Sequence, residues 1–424
     1  MADPPAIGCI ADDFTGGTDL GSTLSREGLD VVQTVGVPPD DFDPGPADAI
    51  VVALKSRTAP AADAVGSSLE AARWLRRLGV DTIFFKYCST FDSRPDGNIG
   101  PVADALLDEL GEDVTIVCPA FPETGRTMYR GHLFVGDVRL DESSMARHPL
   151  TPMTDSSVLR LLGRQVARPV TLIPYETVEA GPDAIRAALG ALRLAGGGYA
   201  VVDALDDRHL RSIGEAAADL RLVTGASGVA RGIPDALRRR GRLAPPRPRR
   251  EFTAPEGPAA VIAGSVSPAT REQVESFRTR VRSVTIDPVA AAQDPVGLDA
   301  AIESLSRHLA EGPVLVQSLN DPADIARAQA ALGIEHSAHA LERALGRAAA
   351  QLVEAGVRRI VVAGGETSAA VVEALGVRAV RIGPEIAPGV PWVLTTGEPR
   401  LALALKSGNF GGPRFFSEAL EALG

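Results

Sequence analysis

The chain has 424 residues, a formal net charge of -11 at pH 7, 45% hydrophobic residues and 23% charged ones. That length implies two or more domains, each able to enclose its own core, and the composition is that of an ordinary globular protein. The acidic balance argues against nucleic acid as a partner, and no apolar run approaches the roughly 18 residues of a membrane helix.

The first residues lack the basic and apolar regions of a signal peptide. Cys9, Cys88 and Cys118 are odd in number and widely spaced, each in or just after an apolar run. They read as reduced core thiols of a cytoplasmic protein, with neither a disulfide framework nor zinc spacing. Lysine is scarce: Lys55, Lys86 and Lys406 stand against 40 arginines, each just after an apolar run. A compact ammonium suits phosphate or carboxylate, chance placement being the alternative.

Residues 7–11 read as a short buried strand that runs into Asp12 and Asp13, and then into Thr15-Gly16-Gly17-Thr18, a turn opening a helix. In open α/β sheets, ligands bind beyond the carboxyl ends of the strands. Aspartates there can coordinate a cation or take a proton from a hydroxyl, and the plain alternative is a helix cap. Strands are expected at 30–35, 50–54, 82–87 and 115–118, and helices at 61–78 and 101–110. Residues 121–154 form a long polar stretch of little periodicity, expected to be a functional or disordered loop. It carries Glu123, Arg126, His132 and His148. His132 reads equally as a hydrogen-bonded histidine or a substrate contact, and His148, before Pro149, as a loop contact. Alternation resumes with strands at 170–173, 199–202 and 222–224 and helices at 185–194 and 209–220.

Residues 238–258 turn to arginine, proline and glycine, which reads as a solvated linker rather than a nucleic-acid arm. A second series follows. Strands are expected at 259–263, 313–317 and 359–363, and helices from 269, at 338–355 and at 369–375. Together these give an α/β protein of two domains, each a mainly parallel sheet flanked by helices, with an active-site cleft between them.

Two strand-to-helix junctions, Gly264-Ser265-Val266-Ser267 and Gly364-Gly365-Glu366-Thr367-Ser368, are rich in glycine and hydroxyls. Glycine lets the backbone approach a phosphate, and the first amides of the next helix point at it. A third segment, Lys406-Ser407-Gly408-Asn409-Phe410-Gly411-Gly412, can close over the same crevice. The P-loop and dinucleotide fingerprints are absent. In the first half, Lys55-Ser56-Arg57-Thr58, Lys86 with Asp92 and Arg94, Asn98, and Glu123 with Arg126 suit a pocket for a small polyhydroxy acid. There Lys or Arg would hold the carboxylate, with Asp and Asn on hydroxyls. His336 and His339 lack a carboxylate partner motif, so zinc is excluded. Phosphoryl transfer to a small hydroxy compound fits these parts.

Taken in order, Ala11-Asp12-Asp13-Phe14-Thr15-Gly16, Gly364-Gly365-Glu366-Thr367 and Lys406-Ser407-Gly408-Asn409-Phe410-Gly411 resemble the four-carbon acid sugar kinases over nearly the whole chain. Residues 53–58, 86–100 and 118–127 look most like the 3-oxo-tetronate 4-kinase branch. Gly17, where alanine is commoner, and Arg94-Pro95-Asp96 depart from its pattern. The resemblance implies a sugar-acid-binding domain (1–240), a linker (241–257) and an ATP-binding domain (258–424). ATP and Mg²⁺ are the implied cofactors, a sugar acid the partner, and a homodimer an open assembly. By the same resemblance, Ser265, Ser267, Gly364, Gly365, Glu366, Thr367, Lys406, Gly408 and Asn409 would meet ATP. Asp13 would accept the proton, with Asp12 second or linked to Mg²⁺. Lys55, Arg57, Lys86, Asp92, Arg94, Asn98 and Arg126 would bind the acid. Kinases of threonate, erythronate or a branched 3-oxo acid, and a non-catalytic sensor, are the alternatives.

Overall fold

A computed structural model describes residues 4–147, 151–246, 252–319 and 321–423. His148 and Pro149, and part of the expected linker, lie outside the described residues. The chain divides into two compact units, Met1–Arg250 and Glu251–Gly424.

The first unit begins β1 (Ile7–Ala11), α1 (Phe14–Arg26), β2 (Val31–Val35), β3 (Ala49–Ala53), α2 (Ala61–Arg77), β4 (Ile83–Lys86), α3 (Ile99–Leu110) and β5 (Val114–Cys118). There follow β6 (Arg126–Tyr129), β7 (His132–Val135), β8 (Val138–Arg139), α4 (Val158–Gly163), β9 (Val170–Ile173), α5 (Tyr175–Glu179) and α6 (Pro182–Leu194). It closes with β10 (Gly198–Val202), α7 (Asp207–Ala217), β11 (Leu222–Gly225) and α8 (Ile233–Arg239). Its main sheet runs β2-β3-β1-β4-β11-β5-β10-β9, every pair parallel. Strands such as Ile-Gly-Cys-Ile-Ala and Ala-Ile-Val-Val-Ala are buried throughout. Apolar residues at consecutive positions can be hidden only if helices cover both faces of the sheet.

From β1 the chain first goes to β2 and β3 on one side, then returns to β4 on the other. This reversal opens a crevice beyond the carboxyl ends of β1 and β4. Register aligns those ends: Ala11 pairs with Ala53 and Lys86, and Lys86 with Gly225. Residues 12, 54, 87 and 226 therefore leave the sheet at one level.

The stretch 121–154 is not a structureless loop. Within it β6, β7 and β8 form an antiparallel sheet, with Arg126 opposite Val135 and Tyr129 opposite His132. The turn places Arg130 at φ 53° and Gly131 at φ 75°. Buried Asp203 fixes that turn by accepting hydrogen bonds from Arg130 N and Gly131 N, each at 2.8 Å. The strands are too short for their alternation to stand out in the sequence.

A close backbone contact steadies the segment after β11. A Cβ on Gly214 of α7 would lie 2.5 Å from Val229 O, and one on Gly232 would lie 2.1 Å from Arg211 O. Only glycine lets α7 and residues 227–232 approach so closely.

The second unit begins β12 (Ala259–Ala263), α9 (Pro268–Arg278), β13 (Arg282–Ile286), α10 (Pro288–Gln293), α11 (Pro295–Ser306), β14 (Val314–Ser318), α12 (Pro322–Leu332) and α13 (Ile334–Glu354). It continues with β15 (Arg359–Ala363), α14 (Gly365–Ala374), β16 (Ala379–Ala387), β17 (Val390–Thr395), β18 (Ala402–Lys406) and α15 (Phe415–Glu421). Its strands run β13-β14-β12-β15-β18-β17-β16, parallel up to β18, with β17 and β16 antiparallel. Val261, Leu315, Val361, Trp392, Phe415 and Phe416 are among its core residues. Here the order reverses at β12, with β14 on one side and β15 on the other. Both units are α/β, and the parallel sheets dominate. No helix among the described residues is long and apolar enough to cross a membrane.

Candidate active site

In the first unit, β1 delivers Asp12 and Asp13 to the crevice. Asp13 is the N-cap of α1: Gly16 N donates to its Oδ1 at 2.8 Å and Thr15 Oγ1 to its Oδ2 at 2.9 Å. Capping an orphan amide is enough to explain an aspartate there. It does not explain Arg57, which donates to Asp12 from Nε at 2.9 Å and Nη2 at 2.7 Å, and from Nη2 to Asp13 at 2.6 Å. One guanidinium thus bridges two adjacent carboxylates, the planar fork matching both oxygens of Asp12. Backbone bonds set the loop: Ser56 N and Arg57 N both donate to Asp12 O, at 2.9 and 3.0 Å.

Lys86, at the end of β4, is buried, and its ammonium donates to Tyr87 O at 2.9 Å. Gly16 has no side chain because there is no room for one. A Cβ there would sit 2.2 Å from Asp13 Oδ1, 3.1 Å from Lys86 Nζ and 3.3 Å from Arg57 Nη2. Burial alone would raise the Asp13 carboxyl, but Arg57, Lys86 and the bonds from Thr15 and Gly16 outweigh it and hold it below the usual range. Asp13 is an ionised acceptor at neutral pH.

The other expected acid contacts are placed differently. Asn98 directs its amide onto Ser56 O at 2.8 Å and Ala59 O at 3.0 Å, so it pins the loop that carries Arg57. Asp92 is half-buried, and its Oδ1 is buried with no partner among the described residues. It follows Phe91, held at φ 50°, a strained angle for an aromatic residue. Lys55 is exposed, and Arg94 is exposed beside Asp96 at 3.1 Å. Arg126 donates to Thr124 O within its own hairpin. Among the described residues, no hydrogen bond or ion pair joins Lys55, Arg94 or Arg126 to the Arg57 group. Glu123, read as a pocket residue, is instead held by Arg26 at 2.9 and 3.1 Å and by Arg231. His132 is hydrogen-bonded, with Nδ1 3.0 Å from Ser156 Oγ. The three cysteines are free, and burial pushes the Cys88 thiol up to about 12, which favours its protonated form.

In the second unit, β12, β15 and β18 are neighbours, with Ala363 paired to both Ala263 and Lys406. Their carboxyl ends carry the three glycine segments. Gly264 N and Ser265 N donate to Ala363 O at 3.1 Å, and Gly364 N to Lys406 O at 2.9 Å. A Cβ on Gly408 would lie 2.4 Å from Ser265 Oγ. Gly364 takes φ 127°, a conformation side chains disfavour, and a Cβ there would also meet Thr367 Oγ1 at 2.8 Å. The three segments therefore make one patch with two helix starts, α9 capped by Ser267 and α14 opening at Gly365. Gly364–Ser368 is thus the first turn of α14 and its cap, not a turn ahead of a later helix. Amides at such helix starts attract anions. Gly365, Glu366 and Asn409 are exposed there, and Thr367 is buried.

Lys406 sits beneath this patch. Its side chain is fully buried and donates to Ser407 O and Gly408 O at 3.0 Å and to Thr270 Oγ1 at 3.2 Å. The ammonium, expected to meet ATP, donates to the loop in this structure. Burial pulls its pKa down to about 7. Two residues missed in the sequence share the task. Thr270 Oγ1 donates to Gly408 O at 2.7 Å, and Gln273 Nε2 lies 3.0 Å from the carbonyls of Phe410, Gly411 and Gly412. Their spacing from Ser267, one and two turns into α9, was the available signal.

Residues 7–233 match a family described as the sugar-binding N-terminal domain, and residues 260–416 one described as the nucleotide-binding C-terminal domain. A 3-oxo-tetronate kinase of Cupriavidus necator is 52% identical over 427 residues, covering 100% of this chain and 98% of its own. One of Burkholderia multivorans is 53% identical over 422 residues, with the same coverage, 100% and 98%. A crystal structure from Salmonella typhimurium LT2 superposes with a TM-score of 0.88 at 41% identity, covering 98% of this chain and 99% of its own. One from Haemophilus influenzae gives 0.81 at 41% identity, with 98% and 100% covered.

Proposed function

The chain belongs to the four-carbon acid sugar kinase family, and from that membership we propose that it transfers the terminal phosphoryl group of ATP to the 4-hydroxyl of 3-oxo-tetronate, in the breakdown of sugar acids. It is a phosphotransferase with an alcohol acceptor. What carries the choice of acid is one observation: relatives matched over 98% of their own length, at 52% and 53% identity, are named 3-oxo-tetronate kinases.

In this reading the first unit holds the acid and the second holds ATP. Arg57 and Lys86 supply positive charge for the carboxylate, with Lys55, Arg94 and Arg126 as further cations of the same unit. Asp92 accepts from a hydroxyl, and Asn98 acts through the loop it pins. Asp13 takes the proton of the 4-hydroxyl as that oxygen bonds to the γ-phosphorus. The bond from phosphorus to the β-γ bridging oxygen breaks, and ADP leaves with the electron pair. Such transfer is mainly positioning and charge stabilisation. Asp12 fixes Arg57.

On the second unit, the amides at Ser265, Gly364, Gly365 and Gly408 suit the phosphates. Ser267, Glu366, Thr367 and Asn409 border them, and Lys406 shapes the loop from below. Mg²⁺ neutralises phosphate charge when bound. Among the described residues, no three His, Cys, Asp or Glu side chains converge as a cage, and Asp12 and Asp13 are turned onto Arg57. These residues fit an ion carried mainly by the nucleotide phosphates and water, as Mg²⁺ commonly is.

Phosphorus NMR of the product tests the position. The expected species is a phosphate monoester coupled to two protons on C4. An ester on C2, coupled to one proton, would move the reaction to another hydroxyl.

A further inference from the structure

Asn98 stands where an asparagine ordinarily caps a helix, yet its side chain makes no capping bond to α3. A cap accepts from the second or third amide of the helix. The third position of α3 is Pro101, which has no N–H, so Gly100 N is the amide a cap must reach. That amide donates to Oε1 of Gln165 at 2.8 Å, a residue two positions past α4. With its helix capped from elsewhere, buried Asn98 can direct its own amide onto Ser56 O at 2.8 Å and Ala59 O at 3.0 Å.

The close approach that permits this exchange depends on glycine. A Cβ on Gly100 would lie 2.6 Å from Gln165 Cβ and 2.7 Å from Val166 Cγ1. The other end of the Gln165 amide is also engaged. Its Nε2 donates to Ser93 Oγ at 2.8 Å and to Arg94 O at 2.6 Å, and Gly97 N donates to the same Arg94 O at 2.8 Å. A side chain that accepts from an N–H and donates to a carbonyl must be an amide, because a carboxylate meets only the first need. Contacts therefore run from Gln165 to the start of α3, from Asn98 to the loop of Ser56 and Arg57, and from Arg57 to Asp12 and Asp13 at 2.7 and 2.6 Å.

We propose that Gln165 is a positioning residue for the sugar acid. By capping α3 in place of Asn98, it keeps Asn98 on the Arg57 loop and so sets where the guanidinium stands for the substrate carboxylate. Without Gln165, Gly100 N is an orphan amide, and the Asn98 side chain is the acceptor nearest to it along the chain. Asn98 then turns onto its own helix, and residues 56–59 lose the side chain that pins them. The proposal rests on the sugar-acid reading, and its test separates the two.

The test is steady-state kinetics of the full chain with 3-oxo-tetronate and Mg-ATP, alongside thermal melts. Gln165→Ala is expected to raise the KM for the acid about tenfold and leave that for ATP unchanged. Gln165→Glu still accepts from Gly100 N, so its KM for the acid should stay within about threefold of wild type. Once Asn98→Ala has removed the pin, adding Gln165→Ala should cost little more, a departure from additivity that marks one shared path. Gln165→Asn, one methylene short of Gly100 N, decides the matter if the Ala variant does not fold. A lowered melting temperature with a normal KM for the acid would make Gln165 a structural cap only and overturn the proposal. Equal losses in the Glu and Ala variants would move the effect to residues 93–94 and overturn the exchange of caps. A wild type that does not turn over 3-oxo-tetronate overturns the sugar-acid reading, and the proposal with it.

Discussion

Arg57 grips Asp12 with two hydrogen bonds, 2.9 and 2.7 Å long, and the same Nη2 reaches Asp13 at 2.6 Å. This contact ties the loop after β3 to the end of β1. Lysine cannot reproduce the fork, since it carries a single point charge. Arg57→Lys should lower kcat/KM for the acid by about 100-fold and destabilise the first unit by about 2 kcal/mol. Urea unfolding and steady-state kinetics read the two effects. A variant with normal kcat/KM would reduce Arg57 to a structural tie.

Asp13 caps a helix and is assigned the proton. Asparagine caps as well as aspartate but cannot pair with Arg57 as an anion, so Asp13→Asn should keep the cap and lower stability by about 1 kcal/mol. Its turnover should fall by about 100-fold or more. Asp13→Ala should lose the cap too, a further cost of about 1 kcal/mol. Near-normal turnover in the Asn variant would remove Asp13 as the base.

The pH dependence follows from the sign of the same shift. Arg57 and Lys86 hold the folded Asp13 carboxyl below its ordinary value despite burial. The ionised form is favoured in the folded state, so its contribution to stability is full above the unfolded pKa of about 4 and is lost as pH falls through the lower folded value. Turnover should likewise persist down to about pH 4 wherever the protein stays folded, and an acid limb near pH 6 would contradict this environment.

Lys406 gives the opposite behaviour. Its folded pKa of about 7 lies below the ordinary lysine value of 10.5, so the folded state resists protonation. The second unit should gain stability as pH rises from about 7 toward 10.5 and carry the full penalty below 7. Lys406→Met should flatten that slope and weaken ATP binding, because Ser407 and Gly408 lose their anchor. Thermal melts across the range check it, and a slope kept by the variant would trace the effect to another group.

Two glycines of the loop after β18 make a matched pair. A Cβ on Gly408 would come within 2.4 Å of Ser265 Oγ, whereas at Gly412 nothing lies within 4 Å. Gly408→Ala should therefore raise the KM for ATP about tenfold and leave that for the acid unchanged, an overpacking cost of about 1–2 kcal/mol. Gly412→Ala should be silent. Equal effects would show that the loop does not pack against Ser265.

Much of the fold was legible because buried parallel strands are short apolar runs with glycine or proline after them. Strands 259–263 and 359–363 have the bounds read from the sequence. The β6–β7 hairpin escaped because four-residue strands leave little alternation to detect, and β16 because Gly383 and Pro384 interrupt it where its register slips. The glycine segments were legible for the same reason as the strands. Side-chain roles were harder. Asn98, Glu123 and Lys406 hold the protein's own backbone and ion pairs, contacts that nothing local in the sequence announces. Gly100 and Gln165 are 65 positions apart, a relation only the folded chain creates.

The most direct test of the kinase assignment is coupled ADP release with Mg-ATP and a panel of acids. It comprises 3-oxo-tetronates of both configurations, threonate, erythronate and a branched 3-oxo acid. The account predicts turnover with a 3-oxo-tetronate and little with the others. Turnover only with another acid would contradict the substrate and keep the chemistry. No ADP from any acid, with ATP still bound, would contradict the kinase and favour a sensor.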